Sequence, residues 1–547
     1  MGYKNWKYNY LDELDNKDDT RKEQTFAMTV GLNIPIPGVK GLSLDGQFMF
    51  ERKNTKNRTF ANENTFEARD LYNTATTYDA NTGALTNNLP WGGILNVTNG
   101  NSQNYSIRGQ INYDGVIDEI HQITALAGME IRETRDWANG ARYYGYNEKT
   151  LIAGSQLPNP YINIWGYNSY LTDASPETDY QRRYLSYYGN LSYTLMDKYV
   201  LSGSVRYDDY NNFGVDRKYR ATPMWSTGFS WHIGREDFIM DNVGWLNQLT
   251  FRTTYGYNGN IDPGQYPFTN ISLSTSNDGF TQLPSSSITA AANPSIRWEK
   301  TGVLNFGLDF AVLNHRLSGS IEVYRKYSRD LFAEYTINPI FGANSTRSYT
   351  LTRNAAKVDG KGVDIALNGT IVQKSDFNYR ASLTFSYNTN EVKSSPYELY
   401  SSFASSGGGS GRMIEGYNMN NFWATRWAGL DEEGNALVYN ADGEIIKSTE
   451  NITNDDLVYM GTLTPKYFGG FFNTFTYKGL SLYVGITYKL GYIFQKPTIS
   501  QQPASRYGGA NYEINEDMAK RWREAGDEAK TDVPRLGTDN NSFQRYR

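Results

Sequence analysis

Apolar and polar residues alternate along segments of about ten residues, and these segments come in pairs. Side chains on a strand point to opposite faces with a period of two, so each segment predicts a strand with one apolar and one polar face. Residues 104–133 show the pattern, with a turn predicted at Asp114-Gly115. The apolar positions of this pair are Tyr105, Ile107, Ile111, Tyr113, Ile123, Ala125, Ala127, Met129 and Ile131.

The alternation predicts about fourteen strands in seven pairs. Besides the pair in 104–133, they are Thr25–Ile36 with Gly41–Arg52, Arg183–Thr194 with Lys198–Tyr210, Thr222–Ile233 with Leu246–Tyr257, Lys300–Val312 with Arg316–Tyr327, Val358–Ile371 with Asp376–Asn390, and Lys466–Tyr477 with Gly479–Gly491. Most pairs turn within a few residues. The segments between pairs are long and polar, apart from the short 211–221; they are 53–103, 134–182, 258–299, 328–357 and 391–465.

Two architectures fit such strands. In a soluble sandwich the apolar face forms the core, whereas in an outer-membrane barrel it meets lipid and the polar face lines a wet lumen. Loops longer than about fifteen residues are uncommon in compact domains, yet here they recur on every second connection. Membrane barrels have short turns at one end and long loops at the other. The sequence therefore predicts an all-β, antiparallel transmembrane β-barrel with long extracellular loops.

Composition agrees with this fold and excludes several functions. The mean hydropathy of −0.62 reveals no membrane helix, but alternating strands average to a polar value. The 44 Tyr and 11 Trp suit the aromatic girdles of a barrel, and also sugar-binding surfaces. The absence of Cys excludes thiol catalysis, Cys-ligated zinc and iron–sulfur clusters. A net charge of −5 without a basic block argues against nucleic-acid binding.

Candidates for catalysis or metal binding are weak. The histidines His121, His232 and His315 fall on separate predicted hairpins, so no shared site is expected. Segments 431–435 and 440–444 carry oxygen ligands without the spacing of a calcium loop, and they predict turns. Segment 407–411 lacks the ending of a phosphate loop and predicts a mobile outer loop. We expect no catalytic residue, no metal site and no cofactor.

Aromatic residues outside the lipid-facing rows are the ligand candidates. Aromatic rings stack on the C–H faces of sugars and also bind peptides. Packing between loops, or contact with a covering protein, would equally explain such residues. They are Tyr417, Phe422, Trp423 and Trp427 in segment 391–465, and Trp91, Trp137 and Trp165 in other loops.

Five motifs in order cover about half of the chain. They are Asn293-Pro294 with Trp298-Glu299-Lys300-Thr301, Ser318–Leu331, Asn354 to Asp364, Thr464-Pro465-Lys466 with Gly469-Gly470, and Arg521-Trp522 to Pro534. Together they resemble the SusC/RagA-like TonB-dependent outer-membrane transporters. The match is looser in the third motif, where Ala356 and Gly360 replace the usual Gly and Asn. The fourth and fifth motifs match closely, although Ala525 in the fifth stands where the family usually has Pro.

The resemblance implies a 22-stranded barrel around an N-terminal plug. Residues 1–547 would form a partial β-barrel domain, with the plug, any N-terminal extension and the TonB-binding segment before Met1, and the last strands after Arg547. It also implies the outer membrane of a Gram-negative bacterium, contact with outer-membrane lipid, and a SusD-like surface lipoprotein as a lid. TonB would supply the energy to import an oligosaccharide, a glycan or a peptide.

The leading hypothesis is therefore active import of a bulky nutrient. A passive porin or adhesin is a second hypothesis, because it would show the same alternating strands without a plug or a partner. A soluble, aromatic-rich carbohydrate-binding β protein is the third. A glycosidase of that kind needs two carboxylates set across a cleft, which sequence spacing does not reveal.

Overall fold

The protein is described here by a computed structural model. It describes residues 2–155, 157–172, 177–211, 219, 221–262, 264–277, 281, 283–336, 350–397, 408–410, 413–447, 452–496, 498, 515–535 and 546. Up to residue 195 the elements are α1 (Tyr10–Asn16), β1 (Lys17–Pro35), β2 (Leu42–Ala61), α2 (Phe66–Thr74), β3 (Thr76–Tyr78), β4 (Leu85–Asn87), β5 (Gly93–Ile117), β6 (His121–Tyr146), β7 (Tyr161–Ile162), β8 (Asn168–Ser169) and β9 (Thr178–Leu195).

The remaining elements are again mostly strands. They are β10 (Tyr199–Tyr210), β11 (Ala221–Trp231), a 3-10 helix (Ile233–Arg235), α3 (Asp237–Met240), β12 (Leu246–Asn260), β13 (Asn270–Asn277), β14 (Pro284–Ala290), β15 (Glu299–Val312), β16 (Leu317–Thr336), β17 (Thr350–Gln373), β18 (Phe377–Ser394), β19 (Gly408–Ser410), β20 (Asn421–Leu430), β21 (Ala436–Tyr439), β22 (Ile445–Lys447), a 3-10 helix (Asn454–Asp456), β23 (Leu457–Thr462), β24 (Tyr467–Tyr477), β25 (Leu480–Leu490), α4 (Asp517–Lys520) and a 3-10 helix (Asp527–Ala529).

Fourteen strands form one sheet, and all seven predicted pairs lie next to each other in it. The order is β1-β2-β5-β6-β9-β10-β11-β12-β15-β16-β17-β18-β24-β25. Chain order and sheet order therefore agree, apart from short strands that the long connections insert. Local hairpins explain this order, because a tight turn brings the next strand directly alongside the last one.

The tight turns have the backbone that twisted hairpins require. Lys478 and Gly479 have φ values of +45° and +88°, and Met196 and Asp197 have +52° and +56°. Positive φ at both central positions gives the turn the same hand as the strand twist. The turn predicted at Asp114-Gly115 was wrong. There β5 continues to Ile117, and the turn follows at residues 118–120.

The long strands extend well beyond their predicted ends. β5 has 25 residues and β6 has 26, although about 9 to 11 suffice to cross a bilayer. Parts of the predicted loops 53–103, 134–182 and 328–357 are therefore strand. The prediction failed there because the apolar alternation ends while the backbone hydrogen bonds of the ladder continue.

The chain divides into two compact units. The first consists of Met1–Ile36, Ser43–Ile111 and Gly128–Ser186. Among its described residues, a buried cluster joins α2 to the ends of β2, β5 and β6, through Ala61, Ala68, Ile94 and Tyr144. Thr65 caps α2 by accepting a hydrogen bond from the Ala68 backbone N–H.

The second unit consists of Pro37–Leu42, Asn112–Ala127 and Tyr187–Arg547. Segment 391–465, predicted as a loop, contains a small sheet in the order β19-β20-β21-β22, with β23 also paired to β20. Residues 408–410 of the predicted mobile loop form β19, while 407 and 411 lie outside the described residues. Among the described helices, none is both long and apolar enough to cross a membrane.

Candidate functional site

The large sheet has one apolar face. Leu308, Ile321, Ile365 and Phe385 lie opposite one another in register on the adjacent strands β15, β16, β17 and β18. Neighbours on this face, such as Phe306 and Val323, are 45% and 48% exposed. Among the described residues, the buried hydrophobic clusters draw on strand ends and connections, and none is built on this face. An exposed apolar row of this kind needs an apolar surrounding such as lipid.

The opposite face, which we call the polar face, carries an ion cluster at the same height. Arg252 on β12 donates to Asp309 on β15 over 2.7 Å and to Glu322 on β16 over 2.5 Å. Glu322 also accepts from the Asn305 side chain over 3.2 Å. In the strand register, Arg252 and Glu322 lie on either side of Gly307, which is one residue along β15 from Leu308. Charges at this depth are tolerated where they are paired and face a lumen.

The small sheet has its own hydrophobic core. Trp423 is 7% exposed and packs with Val438, Ile452 and Leu457. Its indole N–H donates to the Asn421 side chain over 2.8 Å. Tyr417 packs edge-on against this indole, with ring centres 4.8 Å apart. Trp423 therefore supports the fold of the small sheet and leaves little ring surface for a ligand.

The other predicted aromatics are dispersed. Phe422 is half-buried on β20, and Trp427 donates to Asp532 over 3.3 Å. In the first unit, Trp91 packs edge-on against Tyr72 and accepts a cation–π contact from Lys4 at 4.3 Å. In the same unit, the Arg135 guanidinium lies 5.6 Å from the Trp137 ring, and Trp165 is 59% exposed. The structure does not gather the seven residues into one site, and ligand contact stays a prediction for each of them.

Two of the sequence motifs bind each other. Asn354 donates to the backbone carbonyls of Arg297 and Asp330, and its side-chain oxygen accepts from the Arg297 N–H. Asn293 donates to the Thr352 carbonyl over 2.6 Å. Trp298 is buried at the same place. These contacts join the motif that precedes β15 to the long-loop ends of β16 and β17.

The remaining residues of this motif also connect the ends of neighbouring strands. The Glu299 carboxylate accepts from the Phe332 backbone N–H and from the Asn260 side chain. Thr301 and Ser328 pair through their hydroxyls at 2.9 Å, and Lys300 lies opposite Arg329 in the ladder. The motif thus fastens the exits of β12, β15 and β16.

The motif that leads into β24 is explained by close packing. A Cβ on Gly469 would lie 2.1 Å from the Thr384 carbonyl oxygen, and one on Gly470 would lie 2.6 Å from the Phe472 ring. Any larger residue would have to displace the β18 backbone at Gly469 and the Phe472 ring at Gly470. Pro465 precedes the strand, and the Lys466 backbone bonds to β25 and to Asn388 of β18.

A buried carboxylate organises the last described segment. Asp517 accepts from Thr498 over 2.7 Å, from Lys496 over 3.0 Å and from Lys520 over 3.2 Å. The hydrogen bonds from Thr498 and Lys496 hold the pKa of the Asp517 carboxyl well below its usual range. The cluster is saturated with donors of its own chain, which indicates a structural role.

Nothing in the described residues forms a metal site. No group of three or more His, Cys, Asp or Glu residues there could hold an ion. His121 lies against Tyr193, and His232 against Thr250. The predicted turns are present, because Asp431 and Asn440 close the hairpins of the small sheet by backbone hydrogen bonds to Asn435 and Glu444.

A cleft opens where the apolar face ends, at the long-loop end of β16, β17 and β18. Its volume is about 580 Å³. Four cationic side chains line it together with three tyrosines, and Lys466 and Tyr417 belong to residues already singled out by sequence. The lining includes Arg325, Lys361, Lys393, Lys466, Tyr387, Tyr417 and Tyr459.

Comparison with known proteins decides the family. Residues 3–511 match the family model described as TonB dependent receptor-like, beta-barrel. The chain belongs to this family. It is 27% identical over 475 residues to TonB-dependent receptor P26 of Formosa agariphila, covering 82% of this chain and 44% of P26. It is 28% identical over 265 residues to TonB-dependent receptor SusC of Bacteroides thetaiotaomicron, covering 45% of this chain and 26% of SusC.

Solved structures show the same fold. The chain superposes on the RagAB peptide transporter with a TM-score of 0.69 at 23% identity, over 96% of this chain and 53% of that one. It superposes on the RagAB peptide importer in the closed-closed state with a TM-score of 0.71, also at 23% identity, over 96% of this chain and 53% of that one. The chain thus spans about half the length of the proteins it matches, or less.

Membership of the TonB-dependent receptor family confirms the predicted antiparallel transmembrane barrel fold and the location in the outer membrane. The resemblance to SusC and RagA is confirmed as well. The relatives of this receptor chain are receptors and transporters, not enzymes.

Sequence reasoning missed the ion cluster of this receptor. Its signal was present, because Arg252, Asp309 and Glu322 all occupy polar positions of predicted strands. Asp309 and Glu322 are separated from Arg252 by 57 and 70 positions, so only the register of three strands brings the three side chains together. The same holds for the cleft, whose cations come from separate strands.

Proposed function

We propose that the protein imports a bulky nutrient across the outer membrane as a TonB-dependent transporter. The observation that carries the proposal is the sheet with two unlike faces. The apolar row of Phe306, Ile321 and Val323 is exposed, while the ion cluster of Arg252, Asp309 and Glu322 lies directly behind it. A wall of this kind separates lipid from a polar interior through which a solute can pass.

The rest of the transporter is part of the proposal. This chain matches 44% of P26 and 26% of SusC. We infer that the plug, the TonB-binding segment and further barrel strands correspond to the parts of these relatives that the match does not cover. Ligand binding would then bias the plug between closed and open states rather than make or break bonds.

Energy dependence tests the proposal against a passive porin. Cells that express the whole protein are supplied with fluorescent oligosaccharides or peptides, with and without TonB. Active import predicts that accumulation above the outside concentration is abolished by loss of TonB and by a protonophore. Equal uptake in both strains would establish the passive porin instead.

The substrate class is an oligosaccharide or a peptide. A peptide is supported by the fold shared with structures named as a peptide transporter, and a glycan by the relative named SusC. Competition between the two labelled pools, followed by mass spectrometry of the retained compounds, would separate them. A single class should compete with itself and leave uptake of the other unchanged.

We also propose a SusD-like surface lipoprotein as the partner of the small sheet. Four apolar side chains on and beside this sheet are exposed, and they are Met419, Ile445, Val458 and Met460. Val458 and Met460 stand two residues apart on β23, and both side chains are exposed although the pairing with β20 is irregular at Met460. A packed, rigid sheet with an apolar surface is suited to docking a second protein.

Affinity purification tests this partner. The double variant Val458→Asp/Met460→Asp should lose the co-purified lipoprotein, because two carboxylates cannot be buried unpaired in an interface. Ile271→Asp, in the separate β13–β14 hairpin, is the matched control and should retain it. Retention by both variants would remove the small sheet as the docking surface.

Ligand contact is proposed first for the exposed rings. Replacing Trp165 with Ala should weaken substrate binding about 2- to 12-fold if its ring stacks on a sugar or peptide, given about 0.5–1.5 kcal/mol for an aromatic contact. Unchanged affinity, measured by isothermal titration on the purified transporter, would exclude it. The same test applies to Trp91, Trp137, Tyr417, Phe422 and Trp427.

A further inference from the structure

The cleft at the long-loop end of the apolar face, which we call the boundary cleft, combines positive charge with a lipid-facing position. Its four cations are Arg325 on β16, Lys361 on β17, Lys393 on β18 and Lys466 before β24. Three of these strands are consecutive in the sheet, so the cations converge from neighbouring strands.

Strand register places this charge directly beyond the apolar row. Val323 lies opposite Val363, and two residues further along the strands Arg325 lies opposite Lys361. Side chains two residues apart share a face, so both cations point to the same side as the valines. Tyr387 lies opposite Val363 and packs against Tyr467 with ring centres 5.1 Å apart. Tyrosines and then cations beyond an apolar band mark the level of lipid headgroups.

Acidic residues in the cleft neutralise only part of the charge. Asp359 pairs with Arg329 over 2.7 Å and with Arg325 over 3.9 Å. Glu391 is paired with Lys393 over 2.6 Å. Within the described part of the chain, no carboxylate lies within 4.0 Å of the Lys361 or Lys466 ammonium, so these two charges are available to an external anion.

We propose that the boundary cleft binds the phosphorylated headgroup of a lipid in the leaflet at the long-loop end. Phosphate oxygens would accept hydrogen bonds from Lys361 and Lys466, and the acyl chains would lie along the row of Val323 and Val363. Basic clusters beside an apolar membrane surface recognise anionic headgroups in this way. The tyrosine rings offer stacking surfaces to any sugar that carries the phosphate.

The position of the cleft separates it from the transport path. Lys326 follows Arg325 in the chain and points to the opposite, polar face, where its ammonium lies 4.8 Å from the Tyr324 ring. A solute inside the barrel meets that face, whereas a lipid meets the face of Arg325. Lys326 is therefore a matched control, with the same charge at the same height on the other side of the sheet.

Native mass spectrometry of the purified outer-membrane protein tests the proposal. The probes are diphosphoryl lipid A, the same lipid after enzymatic removal of its phosphates, and inorganic pyrophosphate. Lipid A should bind to the unmodified protein, and affinity should fall about fivefold for Lys361→Gln and roughly thirtyfold for Lys361→Gln/Lys466→Gln, at about 1 kcal/mol for each cation. Lys326→Gln should bind as the unmodified protein does.

Each other outcome overturns the proposal. Equal binding of the dephosphorylated lipid would show that acyl chains alone are held, and equal binding by the double variant would remove the lysines. Binding of pyrophosphate without lipid A would show an anion site unrelated to the membrane. If the double variant fails to assemble, as judged by heat-modifiable gel mobility, the single variant Lys361→Gln decides, because its exposed side chain makes no ion pair in the described structure.

Discussion

Two adjacent residues on β18 test which face of the sheet meets lipid. Leu383 lies in the apolar row between Leu367 and Phe471, and Ser382 points to the polar face, where it bonds to Asn368. Leu383 is six residues from the first residue of the strand. At about 3.3 Å per residue and a tilt of about 40°, this places it ~15 Å from the turn end, near the middle of an apolar band about 25 Å tall.

The expected cost of a charge differs sharply between these positions. Leu383→Lys would place an ammonium among acyl chains near the midplane, which costs about 2–4 kcal/mol, or roughly 30- to 1,000-fold in the folding equilibrium. Ser382→Lys would place the same group in the polar interior. It should change the free energy of unfolding by no more than about 1 kcal/mol, because only one exposed hydrogen bond is lost.

Urea unfolding in phospholipid vesicles measures the difference, with folded protein scored by its gel mobility before heating. Both variants introduce the same lysine side chain and the same charge, so their comparison cancels general effects of lysine. Similar stability of both variants, or a larger loss for Ser382→Lys, would refute the assignment of the apolar face to lipid. The transport proposal would then fail with it.

Three further changes have sharp expectations. Gly469→Ala should prevent assembly, because the added Cβ would lie 2.1 Å from the Thr384 carbonyl oxygen. Gly203→Ala should assemble, because the nearest atom to its added Cβ is 3.9 Å away. The amount of each variant in the outer membrane measures both effects. Trp423→Ala should cost about 3–5 kcal/mol and expose the small sheet to proteolysis, with Trp423→Phe costing less. Because the pKa of the Asp517 carboxyl is lowered in the folded protein, the ionised carboxylate contributes its full stabilisation above the ordinary pKa of 3.8. This contribution is lost as the pH falls toward the lowered pKa. Pepsin should therefore cut segment 515–535 only in strong acid.

The hairpins could be predicted because their signals are local. Alternation identifies a strand, and a turn such as Lys478-Gly479 fixes which strand comes next, so all seven pairs and their order followed from short windows of sequence. Strand ends could not be found in this way. On β17 the apolar face continues from Ile365 to Val363 and then changes to Lys361 and Asp359, although the strand begins only at Thr350. The apolar pattern therefore reports the depth of the lipid and not the length of the ladder.

The folded connections were missed for a different reason. The core of the small sheet joins Trp423, Val438, Ile452 and Leu457 from strands and turns of a few residues each. Strands this short do not show enough alternation of apolar and polar residues to be recognised, so the sequence predicts a polar loop there. The aromatic residues were recognised as unusual for a loop, but without the fold a buried tryptophan and an exposed one look alike.

The motifs that carry the family resemblance are accounted for by the architecture. Asn293, Glu299 and Asn354 fasten strand exits through hydrogen bonds to the backbone, and Gly469 allows two strands to approach closely. Contacts of this kind are needed whatever passes through the barrel. Because these side chains are engaged in fastening the wall, they offer no means of distinguishing a glycan from a peptide. Under the proposed import, selection among substrates would then depend on side chains that the wall does not use, such as the exposed ring of Trp165.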